Sequence, residues 1–278
     1  MSETFVSKHA LDLAPWSVSK LKLIKNCGTK FYMDYVYKSL HGKKHPEDTT
    51  IVSKALDMGS MLHEICEKSL SSRNRDLIEY YIKRGASKYP EMSGYQEGIT
   101  NLYDRITAFL VKEPSAKLFC EHGFGIDLEG KTYDFFNNGS LFRSKFDIVL
   151  EYTNAAGEHS VKIIDVKSGK YYEKETLEQL DTYAAVFKLQ NPNVKVIALQ
   201  TALIANKIND LLLTPVSFFE DKDPKKILIE KINSYVVDLP EDLLLLKDKS
   251  FCAPKSKEFM CTGCTRKEWC PKFGGTPL

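Results

Sequence analysis

Apolar residues recur first at helical and then at strand spacing, and the change of period divides the chain. Over residues 17–38, Leu21, Ile24, Phe31, Tyr35 and Val36 fall near a helical period. Ser17 or Ser19 can cap the start, and Gly28 splits the stretch into two shorter helices. A polar loop from His41 to Thr50 precedes a second helix, 53–70, with Leu56, Leu62, Ile65, Cys66 and Leu70 along one side. Residues 74–112 hold two or more further amphipathic helices, broken around Tyr89, Pro90 and Gly94, and Pro114 ends the helical region.

From about residue 119 the alternation shortens to that of strands. Asn137-Asn138-Gly139 and Asn154-Ala155-Ala156-Gly157 read as hairpin loops between strand-like runs. LFRSKFDIVLEY and VKIIDVKSG predict two strands, the second apolar enough to be central in a sheet. Residues 175–190 predict a helix with Leu177, Leu180, Ala184 and Phe187 as its buried stripe. A strand over 194–204, another at 211–218, a helix at 223–238 and a cysteine-bearing tail follow. The order is helices, then β-β-β-α-β, then helix and tail, which predicts an α/β sheet with helical additions. One domain is expected over 1–278: a helical part at 1–115, a core at 116–205 and a C-terminal part at 206–278.

Composition narrows the function classes. Of 278 residues 43% are hydrophobic, and 39 Lys+Arg stand against 37 Asp+Glu, so bulk charge does not mark a nucleic-acid binder. No run of 18 apolar residues appears, and the first residues lack the apolar core of a signal peptide. Seven cysteines are an odd number, better read as thiols or metal ligands than as a disulfide framework. The expectation is a soluble, cytoplasmic protein with no membrane contact.

The chemistry concentrates on two strands. Asp147 in KFDIV, and Asp165 and Lys167 in IIDVKSG, sit at the ends of adjacent predicted strands. Alternate strand residues share a face, so Asp165 and Lys167 project together with Val166 turned away. Two carboxylates and a lysine side by side suit Mg²⁺ or Mn²⁺. Taken alone, such a pair is also what a solvated strand with an i,i+2 ion pair looks like. Gln179 and Tyr183 lie one turn apart on the following helix and share a face, and Gly59 stands one turn before His63 upstream.

Together, G-x3-H, F-D-I-V, I-I-D-V-K-S-G-K and Q-x3-Y, in this order over residues 59–183, resemble the RecB-type branch of the PD-(D/E)xK nuclease superfamily. The resemblance implies a restriction-endonuclease-like mixed central sheet flanked by helices. It implies His63, Asp147, Asp165 and the Val166 carbonyl as metal ligands, Lys167 as the catalytic lysine, and Gln179 and Tyr183 as a helix that supports the site and contacts DNA.

Cys261-x2-Cys264-x5-Cys270 is a compact thiolate group lacking a local fourth ligand, and Cys27 is the natural candidate for that place. Four thiolates suit zinc or an iron–sulfur cluster. The set resembles the iron–sulfur members of the same branch, AddB-type subunits and CRISPR-adaptation nucleases, which implies a [4Fe–4S] cluster clasping the N- and C-terminal segments. Gly28 stands where that pattern often has proline. Cys66, Cys120 and Cys252 read as structural thiols, with Cys252 the reserve ligand should Cys27 not serve.

Gly125-x4-Gly130-Lys131-Thr132 formally matches a phosphate-binding loop, but a strand and turn follow where a helix is needed, and Asp127 and Glu129 would repel phosphate. A hairpin turn is the expectation. Residues 20–44 carry seven lysines (20, 22, 25, 30, 38, 43 and 44) interleaved with Phe31, Tyr32, Tyr35 and Tyr37, and 247–272 hold seven Lys/Arg. Such patches suit single-stranded DNA, although each tyrosine by itself fits a core position equally well. The expected activity is a metal-dependent DNA exonuclease acting on single-stranded DNA from a 5′ end in end processing, recombination or replication. A helicase or recombination protein is its expected partner. The alternative is a non-catalytic DNA-end binding subunit of a helicase–nuclease or integrase complex.

Overall fold

In a computed structural model the described residues are 11–42, 54–169, 171–205, 210–219, 223–237, 239–247, 249–254, 261, 264 and 266–275. The helix α1 (Val18–Asn26) starts where the Ser17 side chain accepts the Lys20 amide and ends at Cys27, whose backbone is extended. The chain re-enters helix at Gly28–Phe31, widens into a π turn at Tyr32–Val36 and closes with Tyr37–His41. The predicted break at Gly28 is therefore present. The helices α2 (Lys54–Ser72), α3 (Asp76–Lys88) and α4 (Gln96–Lys112) follow, with a 3-10 turn at Pro90–Tyr95 between the last two. Most of the polar loop expected over 41–50 lies outside the described residues.

The strands β1 (Lys117–Ile126), β2 (Thr132–Asp134), β3 (Phe142–Thr153), β4 (His159–Lys167), β5 (Val196–Ala205), β6 (Asp210–Leu213) and β7 (Ser217–Phe218) form one sheet ordered β2-β1-β3-β4-β5-β6, with β7 also paired to β5. Among the described strands β4 and β5 pair in parallel, because α5 (Glu173–Gln190) carries the chain across between them, and the others pair antiparallel. The last long helix, α6 (Pro224–Val236), is capped by Asp223 with proline at its first position. This is the mixed, restriction-endonuclease-like sheet. The phosphate-loop match is a turn: Asp127 Oδ1 accepts the amides of Glu129 and Lys131 at 3.0 and 2.9 Å, and Gly130 takes φ +82°. No helix of the described residues is long and apolar enough to cross a membrane.

Each face of the sheet buries its own core. On one, Leu21, Phe31, Leu180 and Phe187 pack against Phe142, Phe146, Val149 and Ile163. On the other, Leu62, Ile65, Ile82 and Leu102 pack against Ile148, Leu150, Ile164 and Val166. Two residues assigned to buried stripes are not buried: Leu56 is 62% exposed and Leu177 40% exposed. Leu56 lies in the first turn of its helix, ahead of the first buried residue Met58, whereas Leu177 lies past the first turn and directly after the buried Thr176.

Candidate active site

Asp147 sits in the middle of β3 rather than at its end, and the Ile148–Ile164 pairing carries on to place it beside Asp165 of β4. Along β4 the alternation holds: Ile163 joins one core, Ile164 and Val166 join the other, and Asp165 and Lys167 project together. Lys167 Nζ lies 3.0 Å from both Asp165 oxygens and directs a hydrogen bond to Oδ1. Gln179 Nε2, from α5, donates to the same Oδ1 at 3.1 Å and to the Tyr183 hydroxyl at 2.9 Å. Asp165 Oδ2 is buried and receives no directed hydrogen bond, so a lone pair is left for a cation. Asp147 Oδ2 accepts the Val166 amide at 2.7 Å, which fixes the carboxylate between strands.

His63 reaches the same place from α2. Its Nδ1 is 3.1 Å from Asp147 Oδ1 and 3.2 Å from Glu121 Oε1, and the other Glu121 oxygen pairs with Lys145. One donor atom each from His63, Glu121 and Asp147 lies within 4.8 Å of the others, the separation a shared metal ion demands. Gly59, one turn earlier, faces Ser168; a Cβ there would sit 3.7 Å from its Oγ, so packing leaves room for a larger residue.

Charge in this cluster is strongly coupled. Burial alone would lower the His63 pKa, but hydrogen bonding of its ring to the Asp147 and Glu121 carboxylates, which accept, carries it up to about 10. Burial, reinforced by repulsion from Asp147, raises Asp165 to about 6 despite the Lys167 ammonium. Burial and the neighbouring carboxylates push the Tyr183 phenol well above its ordinary value, so it remains a donor at neutral pH.

Glu121 has no signature in the sequence, and the backbone explains why. It takes φ +51° inside β1, a left-handed conformation that costs a non-glycine residue about 1–3 kcal/mol. Across this point the faces exchange parity. Upstream, Leu118 and Cys120 lean on one core while Phe119 packs on the other; downstream, Phe124 and Ile126 are buried in the core of Phe119. The partner strand switches in step, Phe146 and Ile148 falling in opposite cores on either side of Asp147. The register keeps the same offset on both sides, Lys117–Glu151 to Cys120–Ile148 and His122–Phe146 to Ile126–Phe142, and the pairing is interrupted at Glu121 and Asp147. Strict alternation, the only signal available in sequence, fails where the two carboxylates meet.

At the C-terminal clasp, Cys252, expected only as a reserve ligand, stands among the other thiols. Its Sγ is 3.5 Å from that of Cys270 and 3.3 Å from Thr29 Oγ1. Burial, with Cys252 and Cys264 close by, raises the Cys27 thiol, although the Lys30 and Ala253 amides donate to its sulfur. Burial and contact with Cys252 bring Cys270 up to about 12. Cys27, Cys252, Cys264 and Cys270 are thus neighbours, and the Cys261 carbonyl accepts the Cys264 amide at 3.2 Å. Thiols with amide donors aimed at sulfur fit a thiophilic metal or cluster, but among the described residues no three of them come within ligand distance of one another. Cys66 is buried in the second core and Cys120 packs against it, as expected of structural thiols.

The two basic segments do meet: Arg266 Nε donates to Asp34 at 2.8 Å, and Lys247 lies over the Tyr32 ring. Of the aromatic residues singled out there, Phe31, Tyr32 and Tyr37 are core residues and Tyr35 is half-buried. Lys20 is buried too, its ammonium bonded to the Leu13 and Pro15 carbonyls. Lys43 and Lys44 lie outside the described residues.

A family model described as the PD-(D/E)XK nuclease superfamily matches residues 15–271. Among curated protein sequences none matches. A solved structure titled "Crystal structure of SSO0001" is 13% identical, covering 77% of this chain and 84% of that one with a TM-score of 0.32.

Proposed function

The chain belongs to the PD-(D/E)XK nuclease superfamily, and from that membership we propose that it is a metal-dependent deoxyribonuclease, an exonuclease that hydrolyses single-stranded DNA from a 5′ end. The observation that carries the catalytic part is the convergence of His63, Glu121 and Asp147 on one point beside Asp165 and Lys167. In this reading His63, Glu121, Asp147 and Asp165 hold Mg²⁺ or Mn²⁺, with the Val166 carbonyl as a further ligand. Oxygen donors with one imidazole suit those ions. When bound, the ion lowers the pKa of water and neutralises charge on a phosphoryl oxygen.

The remaining roles belong to side chains. Lys167, fixed against Asp165, orients the attacking water or stabilises the developing charge. Gln179 keeps Asp165 aimed while spanning to Tyr183, whose phenol offers a hydrogen bond to the strand. The single-strand preference, the 5′ polarity, a role in end processing or recombination and a helicase partner rest on resemblance to the RecB-type branch.

The same resemblance supports a [4Fe–4S] cluster held by Cys27, Cys261, Cys264 and Cys270. The amides donating to the Cys27 sulfur favour a thiolate there. Such a cluster cross-links the two ends of the chain.

Anaerobically purified protein incubated with end-labelled oligonucleotides tests this reading. Cleavage with Mn²⁺ or Mg²⁺ and none in EDTA is expected. Absence of cleavage of single-stranded and duplex DNA with either ion would leave a binding subunit as the correct reading.

A further inference from the structure

Gln179 and Tyr183 have a second side. Away from Asp165 they line a cavity of about 270 Å³ whose other walls come from the start of α1, from β3 and from the loop after β2. Its polar groups are overwhelmingly donors. Ser17 and Ser19 bring hydroxyls 3.1 Å apart, and the first turn of the nine-residue α1, whose Lys20 amide is capped by Ser17, adds the positive potential of a helix start. Lys22 is held only loosely, 3.7 Å from an exposed Glu175. Arg143 has no carboxylate partner among the described residues; its guanidinium rests on the Phe135 ring at 5.4 Å. Ser144 supplies the independent sign of a missing ligand, because the residue is only 3% exposed, lines the cavity and has a buried hydroxyl with no hydrogen-bond partner among the described residues.

A guanidinium, an ammonium, serine hydroxyls and a helix N-terminus around one small cavity are the groups that bind a phosphate. Beside them, Phe135 and the 83% exposed Phe136 meet edge to face at 5.1 Å, forming an aromatic corner at the edge of the cavity. We propose that this cavity binds the phosphate adjoining the scissile one in a nucleic-acid strand, and that Phe135 and Phe136 stack on an unpaired base beside it. The assignment rests on the nuclease reading for the position of the scissile phosphate. A single strand is the occupant because only an unpaired base offers a free ring face to Phe136. The phosphate is either internal to the strand or the terminal monoester.

The test is binding without cleavage. Fluorescence anisotropy of a 3′-labelled oligothymidylate in EDTA reads affinity as salt is varied. Lys22→Ala with Arg143→Ala should weaken binding about tenfold or more. The same double change should flatten the slope of log K against log salt by about 0.7 for each phosphate no longer neutralised. Phe136→Ala should weaken the single strand and leave a blunt duplex competitor unchanged. Lys22→Ala alone, at a partly exposed position, guards against a misfolded double variant and should move both quantities in the same direction. A loss confined to 5′-phosphorylated strands identifies a terminal monoester, and an equal loss on 5′-hydroxyl strands an internal phosphate. Unchanged affinity and slope in the folded variants, or a wild-type chain that does not bind the strand, overturns the proposal. A chain that binds this way but never cuts would instead overturn the nuclease reading alone.

Discussion

At the sheet, every charged member of the cluster is already held by another protein group: Asp147 by the Val166 amide and His63, Asp165 by Lys167 and Gln179, Glu121 by Lys145 and His63. At the clasp, four thiols gather with a single sulfur–sulfur approach of 3.5 Å among the described residues. The difference follows from where the residues sit. Strand neighbours are fixed by the backbone ladder and cannot drift apart without breaking the sheet. The cysteines come from short turns and loop ends at opposite ends of the chain, with little ladder to hold them. The first centre is ordered by the fold; under the proposed iron–sulfur reading the second would help to order the fold once its cluster is bound.

The largest break in that comparison is a change that destroys activity without cost to stability. Asp165→Asn should reduce cleavage by on the order of 10³-fold while leaving the thermal midpoint equal or higher. The sign follows from its raised pKa. The folded state retains the Asp165 proton up to about 6, above the unfolded value of 3.8. Stability is therefore lost as pH rises between the two and stays lost above. In EDTA the asparagine variant should be more stable than wild type at pH 8 by on the order of 3 kcal/mol. That advantage should vanish below about pH 4, and denaturant melts at the two pH values read it directly. An advantage that grows toward acid would contradict the burial of an ionised carboxylate at this position.

The converse change belongs at the clasp. Cys27→Ser should lower the midpoint by on the order of 10 °C and bleach the visible absorption of anaerobically purified protein, whereas Asp165→Asn should leave the colour intact. Stoichiometric zinc in colourless wild-type protein would replace the iron–sulfur reading and leave the comparison standing.

Glu121 separates the two kinds of order within the sheet itself. Glu121→Gln retains the size of the side chain but removes the charge that binds a cation, and activity should then require about 10-fold to 100-fold more Mn²⁺. A titration with wild-type metal dependence would remove Glu121 from the ligand set. This residue also marks how far sequence could reach. The pairing of Asp165 with Lys167, their adjacency to Asp147 and the shared face of Gln179 and Tyr183 all follow from regular periods of two and near four, and all are present. A left-handed residue in a strand has no period to betray it. Leu56 and Leu177 depart from expectation for a related reason: helical spacing gives the direction of a side chain but not how far the opposing layer extends.

The smallest effect decides what Cys252 does. Periodicity could not place it, because its position depends on long-range contacts with Thr29 and Cys270. Two roles are physically distinct here. As a packing thiol beside the cluster, Cys252→Ala would remove one buried sulfur and its contact with Thr29, costing about 1 kcal/mol and leaving iron content unchanged. As a ligand in place of Cys261, the same change would bleach the protein, and Cys261→Ser would not. The packing role is expected, since it preserves the Cys261, Cys264 and Cys270 spacing, and iron and visible absorbance measured on both variants separate the two. Loss of iron in Cys252→Ala with retention in Cys261→Ser would transfer the fourth ligand to Cys252. The clasp would then be built from the thiols already gathered around Cys270, and its order would come from the fold, as it does at the sheet.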